Sequence, residues 1–279
     1  MYLNHCHIFP HGAFPDQPEL GTLPELDRFM KECGIERTVA FAPFWGPKSK
    51  EILAGEEINA WLYRNLQDYP DIEGAVTVSP KAPDACELLE TYARKGFVGV
   101  KTHPPVMRFR IDDPACDEFY ALAAELGMFV LFHTGVHGGR LEDYRPLLVD
   151  NIVYRHPKLK VIIEHMGTSD GIGRGFFDEA MSVIYNHSSR WCDRGVYAGL
   201  TGLGKPQYRQ LVADALQEAG TKRCIFGVDW PHMKGNREAV IRYRAERDVI
   251  ASTGLSPEQE DGIYGDTLAE LVGARKYVS

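Results

Sequence analysis

The sequence predicts an α/β fold in which eight parallel strands close into a (β/α)8 barrel. Short apolar runs recur along all 279 residues, and each is followed by a longer stretch with helical periodicity. The length suits a single domain covering residues 1–279. Polar residues end several of the runs. This favours a barrel over an open sheet, because the carboxyl ends of barrel strands converge on one rim.

The apolar runs are the predicted strands of the barrel. In chain order they cover residues 2–9, 38–44, 72–79, 97–103, 128–134, 160–166, 196–201 and 224–229. They are rich in β-branched and aromatic residues, which fit the buried surface of a sheet. Their spacing of about one βα unit is typical of parallel strands joined by crossover helices.

Helices are predicted between the strands, for example at residues 23–32, 58–67, 83–94, 114–126, 206–219 and 237–251. Three prolines suit a first helical turn: Pro83, Pro114 and Pro206. Four glycines suit the residue after a helix: Gly34, Gly96, Gly127 and Gly220. A last helix at 257–271 follows the eighth strand, and we expect it to pack outside the barrel.

The composition argues against large polyanionic partners. The formal net charge is −8 and no run of Lys and Arg occurs, so neither a nucleic-acid groove nor binding to an anionic membrane surface is expected. No apolar stretch reaches the roughly 20 residues of a membrane span, and no basic-then-apolar leader is expected. A small molecule is the expected ligand, and a homo-oligomer, a dimer first, the expected assembly.

Six scattered cysteines without CxxC spacing indicate free thiols rather than a disulfide framework. The expected location is therefore the cytoplasm.

The first predicted strand carries a His-x-His pair. Alternation along a strand puts His5 and His7 on one face, with Cys6 facing away towards the helix layer. Such a pair alone is equally consistent with ordinary core or surface histidines, so it needs partners before it indicates a metal site.

Those partners are predicted at the ends of three other strands. His133, His165 and Asp229 each follow an apolar run at its carboxyl end. Polar groups in such places lose hydration, so the alternative to a shared metal is a separate hydrogen-bond partner for each of them. Three of these four imidazoles with the one carboxylate suit Zn²⁺ first, and Mn²⁺, Fe²⁺ or Ni²⁺ can occupy a similar set.

Five motifs carry a family resemblance along the whole chain. They are HCHIFP from His5, GVKTHP from Gly99, FHTG from Phe132, EHMG from Glu164 and FGVDWPH from Phe226. On these motifs the sequence resembles the amidohydrolase-related group of the amidohydrolase superfamily. That group includes aminocarboxymuconate-semialdehyde decarboxylase, γ-resorcylate decarboxylase and pyrone-dicarboxylate lactonase.

The resemblance implies a distorted (β/α)8, or TIM, barrel with one divalent metal ion. It implies that His5, His7, His133 and Asp229 are the metal ligands and that His165 acts beside the metal without binding it. The chain departs from the family pattern in two places. Asn4 stands where an acidic residue usually precedes the HxH pair, and the closing Gly-Asn-Ala segment reads Gly265-Asp266-Thr267.

Two reactions suit such a site. A divalent ion lowers the pKa of bound water and polarises carbonyl oxygens, which suits hydrolysis of an ester, lactone or amide, with His165 and Asp229 as the competing candidates for general base. The alternative, also implied by the family, is non-oxidative decarboxylation of an unsaturated or aromatic carboxylic acid.

The predicted rim loops are basic although the protein is acidic overall. This predicts a small anionic substrate, because Arg binds carboxylates through its planar fork, unless these charges pair with Asp112, Asp113 or Glu142. Trp230 and His232 follow Asp229 directly and are predicted to line the pocket. The basic loop residues predicted to bind substrate are His103, Arg108, Arg110, His137 and Arg140.

Lys101 ends the fourth strand and shares a face with His103. Three interpretations compete: a carbamate that bridges two metals, a Schiff base as in an aldolase, and simple binding of substrate charge, which we favour. A non-catalytic metal-binding barrel is a further alternative for the whole chain.

Overall fold

The structure is a computed structural model, and it describes residues 1–10, 12, 17–42, 57–168, 173–189, 192–203, 205–231 and 235–273. His232, predicted to bind substrate, lies outside these residues.

The eight predicted strands form a closed parallel barrel. The strands are β1 Tyr2–His7, β2 Arg37–Phe41, β3 Ile72–Thr77, β4 Gly99–Thr102, β5 Phe129–His133, β6 Lys160–Glu164, β7 Val196–Gly199 and β8, which has two segments, Cys224–Ile225 and Gly227–Trp230. The first segment of β8 pairs with β7 and the second with β1, so the ring closes through β8. Phe226 separates the two segments, and its N–H donates to the carbonyl of Ile263, 3.2 Å away. The prediction of a distorted barrel is confirmed.

Alternation along each strand divides the apolar residues into two cores. In β5, Phe129 and Leu131 belong to the cluster inside the barrel, whereas Val130 and Phe132 pack against the helices. His133 continues the inward-facing series, because it is two residues beyond Leu131. Alternate residues of a strand thus face the inner core, and the last of them places a polar side chain at the barrel mouth.

Helices surround the barrel. The described helices include Leu23–Cys33, Ile58–Leu66, Ala85–Arg94, Asp117–Glu125, Leu148–Arg155, Phe177–His187, Arg209–Ala219 and Asn236–Ala251. Short 3-10 turns begin at Pro114 and at Pro206, as predicted from these prolines. The helix expected from Pro83 instead begins at Ala85, because Pro83 lies within a turn that the Ala85 N–H closes onto the carbonyl of Ala82. None of the described helices is long and apolar enough to cross a membrane.

The C-terminal helix lies beyond the barrel wall, at the amino-terminal ends of the strands. It runs through Pro257–Asp261, a π turn at Gly262–Asp266 and Thr267–Val272. Its Leu268 and Leu271 belong to the inner core cluster, together with Tyr2 and Phe129 from the barrel. This helix therefore covers the end of the barrel opposite the mouth.

Candidate metal centre

A bulge in β1 brings His5 and His7 together. His5 has a left-handed backbone, with φ of 76°, and the pairing of β1 with both neighbouring strands shifts register around it. As a result Asn4 and His5 both face the barrel interior, while Cys6 packs outside as predicted. The Nε2 atoms of His5 and His7 lie 3.1 Å apart. Regular strand alternation predicted that His5 and His7 share a face. In the structure they come together although the strand is irregular at His5.

Asp229 completes a compact group of donors. It also has a left-handed backbone, with φ of 54°, and its Oδ1 lies 3.3 Å from Nε2 of His5 and 3.4 Å from Nε2 of His7. Its side chain is 45% exposed, so the carboxylate faces the barrel mouth rather than the core. Left-handed backbone is rare outside glycine and is concentrated at functional sites.

The spacing of these three donors fits a metal ion. Ligand atoms about 2.0 to 2.1 Å from a tetrahedral Zn²⁺ lie about 3.3 Å from one another. The three separations among His5, His7 and Asp229 are 3.1, 3.3 and 3.4 Å. Two imidazoles and a carboxylate also leave a fourth position for a further ligand, as catalytic sites require.

His133 lies beside this group rather than within it. Its Nε2 is 3.0 Å from the carbonyl oxygen of Gly135, and its ring stacks on His103 with centroids 3.9 Å apart. With His103 and His137 it forms a second group of potential ligand atoms within 4.8 Å of one another. The structure thus brings together three of the four predicted ligands, and the role of His133 as a ligand stays a prediction.

Glu164 contacts Nδ1 of His5, a role that its place in the EHMG motif did not predict. Its fully buried carboxylate accepts a hydrogen bond of 2.7 Å from Nδ2 of Asn4, and its Oε2 lies 3.0 Å from Nδ1 of His5. Gly199 leaves room for it, because a Cβ there would lie 2.5 Å from Oε1 of Glu164. The carboxylate missing at Asn4 is therefore supplied from β6. The parity of Glu164 with inward-facing Ile162 was the sequence signal for it.

Burial sets the protonation states of this group. It lowers the pKa of His5 to about 3, with help from the nearby Lys101 ammonium, and it lowers the pKa of His7. Burial alone would raise the pKa of Glu164, but its contact with His5 brings the pKa down to about 2. Burial would likewise raise the pKa of Asp229, yet the hydrogen bond from His7 holds it well below its usual range. Neutral imidazoles and ionised carboxylates are the forms that bind metals.

Lys101 lies at the base of the same group. It is fully buried, and its Nζ is 3.0 Å from Nε2 of His5. Burial lowers the pKa of Lys101 to about 8. Lys101 is not among the described residues that line the cavity below, which argues against both the Schiff-base interpretation and the binding of substrate charge by this lysine.

His165 is positioned to exchange a proton. Its Nδ1 lies 3.0 Å from the carbonyl oxygen of Thr201, which can only accept, so Nδ1 carries the hydrogen and Nε2 keeps its lone pair. Its ring centroid lies 5.1 Å from that of His5 and 4.7 Å from that of His133. Its backbone is left-handed, with φ of 64°.

A cavity of about 210 Å³ opens onto these side chains. Arg242, from the helix that follows β8, supplies a basic group to its wall, and its Nε donates to Oε1 of Glu246, 3.0 Å away. Nothing in the sequence pattern singled out Arg242, because it lies within an ordinary charged helix. The cavity is lined by His133, Gly135, Val136, His137, His165, Thr168, Thr201, Gly202, Asp229 and Arg242.

Several residues predicted to bind substrate lie elsewhere. Trp230 is fully buried and packs against Phe29 in the layer between barrel and helices, so the prediction that it lines the pocket is corrected: it is a core residue. Arg110 pairs with Asp112 at 2.5 Å, as the alternative interpretation held. His103 is buried behind His133, His137 lines the cavity, and Arg108 and Arg140 are exposed side chains outside the cavity lining.

Comparisons with known proteins identify the family through a sequence model and the fold through solved structures. A family model described as amidohydrolase matches residues 5–274. A probable 2-pyrone-4,6-dicarboxylic acid hydrolase from Acinetobacter baumannii, solved with citric acid bound, is 17% identical, with 98% of each chain covered and a TM-score of 0.68. A 2,6-dihydroxybenzoate decarboxylase from Rhizobium is 16% identical, with 97% of this chain and 98% of that chain covered and a TM-score of 0.67.

A third solved structure holds a metal. It is an amidohydrolase from Burkholderia multivorans with bound zinc, 16% identical, with 97% of this chain and 98% of that chain covered and a TM-score of 0.68. At these identities the structural likeness shows the barrel fold alone. A comparison with curated proteins gives no match.

Proposed function

This chain belongs to the amidohydrolase family, whose model matches residues 5–274, and we propose that it is a metal-dependent hydrolase of a small ester, lactone or amide that carries a carboxylate. The convergence of His5, His7 and Asp229 within 3.4 Å of one another is the observation on which this proposal depends. Membership of the family makes the chain an enzyme of the amidohydrolase superfamily, so the non-catalytic alternative is set aside.

We propose that His5, His7 and Asp229 hold one divalent ion, with zinc first and Mn²⁺, Fe²⁺ or Ni²⁺ as alternatives. The ion supplies Lewis-acid polarisation of the substrate carbonyl when it is bound. His133 can join these ligands if its ring turns from Gly135, since it lines the same mouth. Glu164 and Asn4 keep His5 in place by holding its Nδ1 side.

His165 is the general base in this proposal. Its Nε2 lone pair is available, because Thr201 fixes the hydrogen on Nδ1. Asp229 is less suited to that role, because its Oδ1 is turned towards two imidazoles and is committed to them. His165 therefore takes the proton from the attacking water and returns it to the leaving alcohol or amine.

The substrate is anionic in this proposal, with Arg242 as the carboxylate-binding residue. Its guanidinium forms part of the cavity wall, and Glu246 fixes its Nε end at 3.0 Å, which orients the planar fork. His137 contributes a second polar group to the wall.

Product analysis tests this function. The zinc-loaded enzyme is offered a panel of carboxylate-bearing lactones, esters and amides, and the expected products are a new acid with an alcohol or amine. His165→Asn should lower kcat by about 10²- to 10⁴-fold, because it removes the group that moves the proton. Metal content should be retained in that variant. Full activity of His165→Asn would contradict the role given to this residue.

Decarboxylation is a second candidate on the same side chains. His165 faces the cavity and, once it has taken a proton at Nε2, is placed to deliver it to the carbon that loses CO2. Release of CO2 from an aromatic or unsaturated acid, with one new C–H bond and no hydrolysis of the lactone panel, would replace the hydrolase with the lyase.

A further inference from the structure

A cysteine, a histidine and an aspartate form a chain of contacts outside the metal centre. Nδ1 of His187 lies 3.3 Å from Sγ of Cys192, and Nε2 of His187 lies 2.7 Å from Oδ1 of Asp150. The three residues come from separate elements: Asp150 from the helix Leu148–Arg155, His187 from the end of the helix Phe177–His187, and Cys192 from a short strand pair. Three elements must therefore pack correctly to make this arrangement.

The contacts fix the hydrogen positions. An aspartate carboxylate only accepts, so Nε2 of His187 carries the hydrogen and donates it to Asp150. Nδ1 is then an acceptor directed at the thiol of Cys192. A nucleophile within hydrogen-bond reach of a base, with the base oriented by a third group, is the arrangement that activates cysteine in enzymes.

His187 lies beside two features that offset the positive charge its ring gains on taking the thiol hydrogen. It ends a helix, where the partial negative charge of the helix C-terminus stabilises a cation, and Asp150 adds a full negative charge. The imidazole is buried, whereas Cys192 is only half-buried, so the base is shielded from water while the sulfur can still be reached.

The other five cysteines have a different environment. Burial raises the pKa of Cys6 and Cys224 to about 12, raises the pKa of Cys33 and Cys116 to about 11, and raises the pKa of Cys86. Cys6, Cys116 and Cys224 are buried, whereas Cys33 and Cys86 are half-buried like Cys192. Thiols whose pKa is raised in this way are poor nucleophiles. They provide internal references for the reactivity of Cys192.

We propose that Cys192, His187 and Asp150 form a reactive-thiol site that undergoes thiol–disulfide exchange with small disulfides. The thiol hydrogen moves to Nδ1 of His187, and the thiolate attacks one sulfur of the disulfide. A new S–S bond forms as the old one breaks. The leaving thiolate takes a proton from the imidazolium or from water.

The site is separate from the metal centre. His187 is the last residue of the helix that follows β6, and the strand pair containing Cys192 leads into the start of β7. The site therefore lies towards the amino-terminal ends of the strands. Other charged groups nearby are already engaged: Asp193 pairs with Arg223, and Arg194 lies over the ring of Tyr154. His187 contacts the sulfur through Nδ1, and Asp150 lies on the other side of the His187 ring, at Nε2.

Labelling kinetics test the proposal on the full chain. The protein is treated with the neutral disulfide dithiodipyridine at pH 6, and each labelled cysteine is identified by peptide mass spectrometry. Cys192 should react about tenfold faster than Cys86, because His187 takes up the thiol hydrogen and leaves the nucleophilic thiolate.

Variants show whether the reactivity of Cys192 comes from its contact with His187 or only from its exposure to solvent. His187→Asn should bring the pH 6 rate of Cys192 down to that of an ordinary exposed thiol, and Asp150→Asn, at a half-exposed position, should lower it without disturbing the fold. Cys192→Ser should keep metal content and turnover. Reaction of Cys192 no faster than Cys86 would overturn the proposal, as would an unchanged Cys192 rate in both the His187→Asn and Asp150→Asn variants.

Discussion

Glu164 shows how a single buried carboxylate can organise a metal site. It lies 3.0 Å from Nδ1 of His5 and accepts a hydrogen bond from Asn4, so it fixes the face of His5 that is turned away from the other donors. Carboxylates behind a ligating histidine set its tautomer and ring orientation. Because contact with His5 brings the pKa of Glu164 down to about 2, it is ionised throughout the neutral range.

Glu164→Gln should therefore weaken zinc binding by about 10- to 100-fold, since the amide no longer offers His5 a charged acceptor. Competition with a chromophoric chelator measures the change. Glu179→Gln, which loses only an outer ion pair with Arg145, is the matched control and should bind zinc like the wild type. Equal zinc affinity in the Glu164 variant would refute its positioning role.

Glu246 predicts a pH dependence of stability. It is 1% exposed, and burial raises its pKa to about 7 although Arg242 opposes the shift. Between about pH 4.3 and 7 the unfolded chain has lost this proton while the folded chain still holds it. The contribution of Glu246 to the free energy of unfolding therefore falls as pH rises through this window, by up to roughly 4 kcal/mol.

Glu246→Gln removes that dependence. The free energy of unfolding of the variant, relative to wild type, should increase from pH 4.5 to pH 7 and then stay level. Urea unfolding at several pH values measures it, with exposed Glu118→Gln as control. A difference that stays constant or shrinks over this range would mean that Glu246 is ionised in the folded protein.

At the residue level, the sequence indicated which residues could bind a metal but not which side chains would contact one another. His5, His7 and Asp229 were predicted as ligands because polar groups at the ends of apolar strands lose hydration, and a shared metal ion would compensate all of them. The structure brings these three side chains together. The position of Arg242 in the cavity wall and the contact of Glu164 with His5 were not predicted, because both depend on side-chain packing between elements that are distant in sequence. Trp230 was misplaced because the prediction rested only on its position directly after Asp229, whereas neighbouring strand residues face opposite sides and Trp230 packs in the helix-side core.

At the level of elements, all eight strands were predictable because apolar, β-branched runs are a strong local signal. The bulge at His5 was not, because the register shift arises from pairing with β2 and β8 rather than from β1 itself. The start of the helix at Ala85 also differed, since Pro83 is part of a turn.

The barrel wall depends on glycines that admit neighbouring rings. A Cβ at Gly74 in β3 would lie 2.6 Å from the ring of Phe97. Gly74→Ala should therefore lower the free energy of unfolding by about 1–3 kcal/mol through overpacking. Urea denaturation measures it, with Gly262→Ala as the control because nothing lies within 4 Å of its added Cβ. A Gly74 variant as stable as the control would show that Phe97 moves without cost.

At the level of the whole molecule, the C-terminal helix joins the two ends of the chain. Leu268 and Leu271 pack with Tyr2 from β1 in the inner core, so the last helix closes the barrel at the end opposite the metal centre. The sequence predicted a helix outside the barrel wall. It did not indicate which surface the helix would cover, because that choice depends on the inner core left open by the strands.

The predicted single domain has a testable consequence. Leu268→Ala should cost about 2–5 kcal/mol and shift one cooperative unfolding transition, because this fully buried side chain belongs to the common inner core. Ile241→Ala, at a 53% exposed position, should cost about 0.5 kcal/mol or less. Calorimetry that resolves two transitions, with only one of them sensitive to Leu268, would argue for separate units.

The metal content of the protein is the most direct test of the central claim. Wild type and a His5→Ala, His7→Ala double variant are loaded with zinc, dialysed and analysed for bound metal, with circular dichroism to check that both are folded. The account predicts one retained ion per wild-type chain and none in the folded double variant, because Asp229 alone is a weak site. Equal zinc retention by both proteins would contradict it.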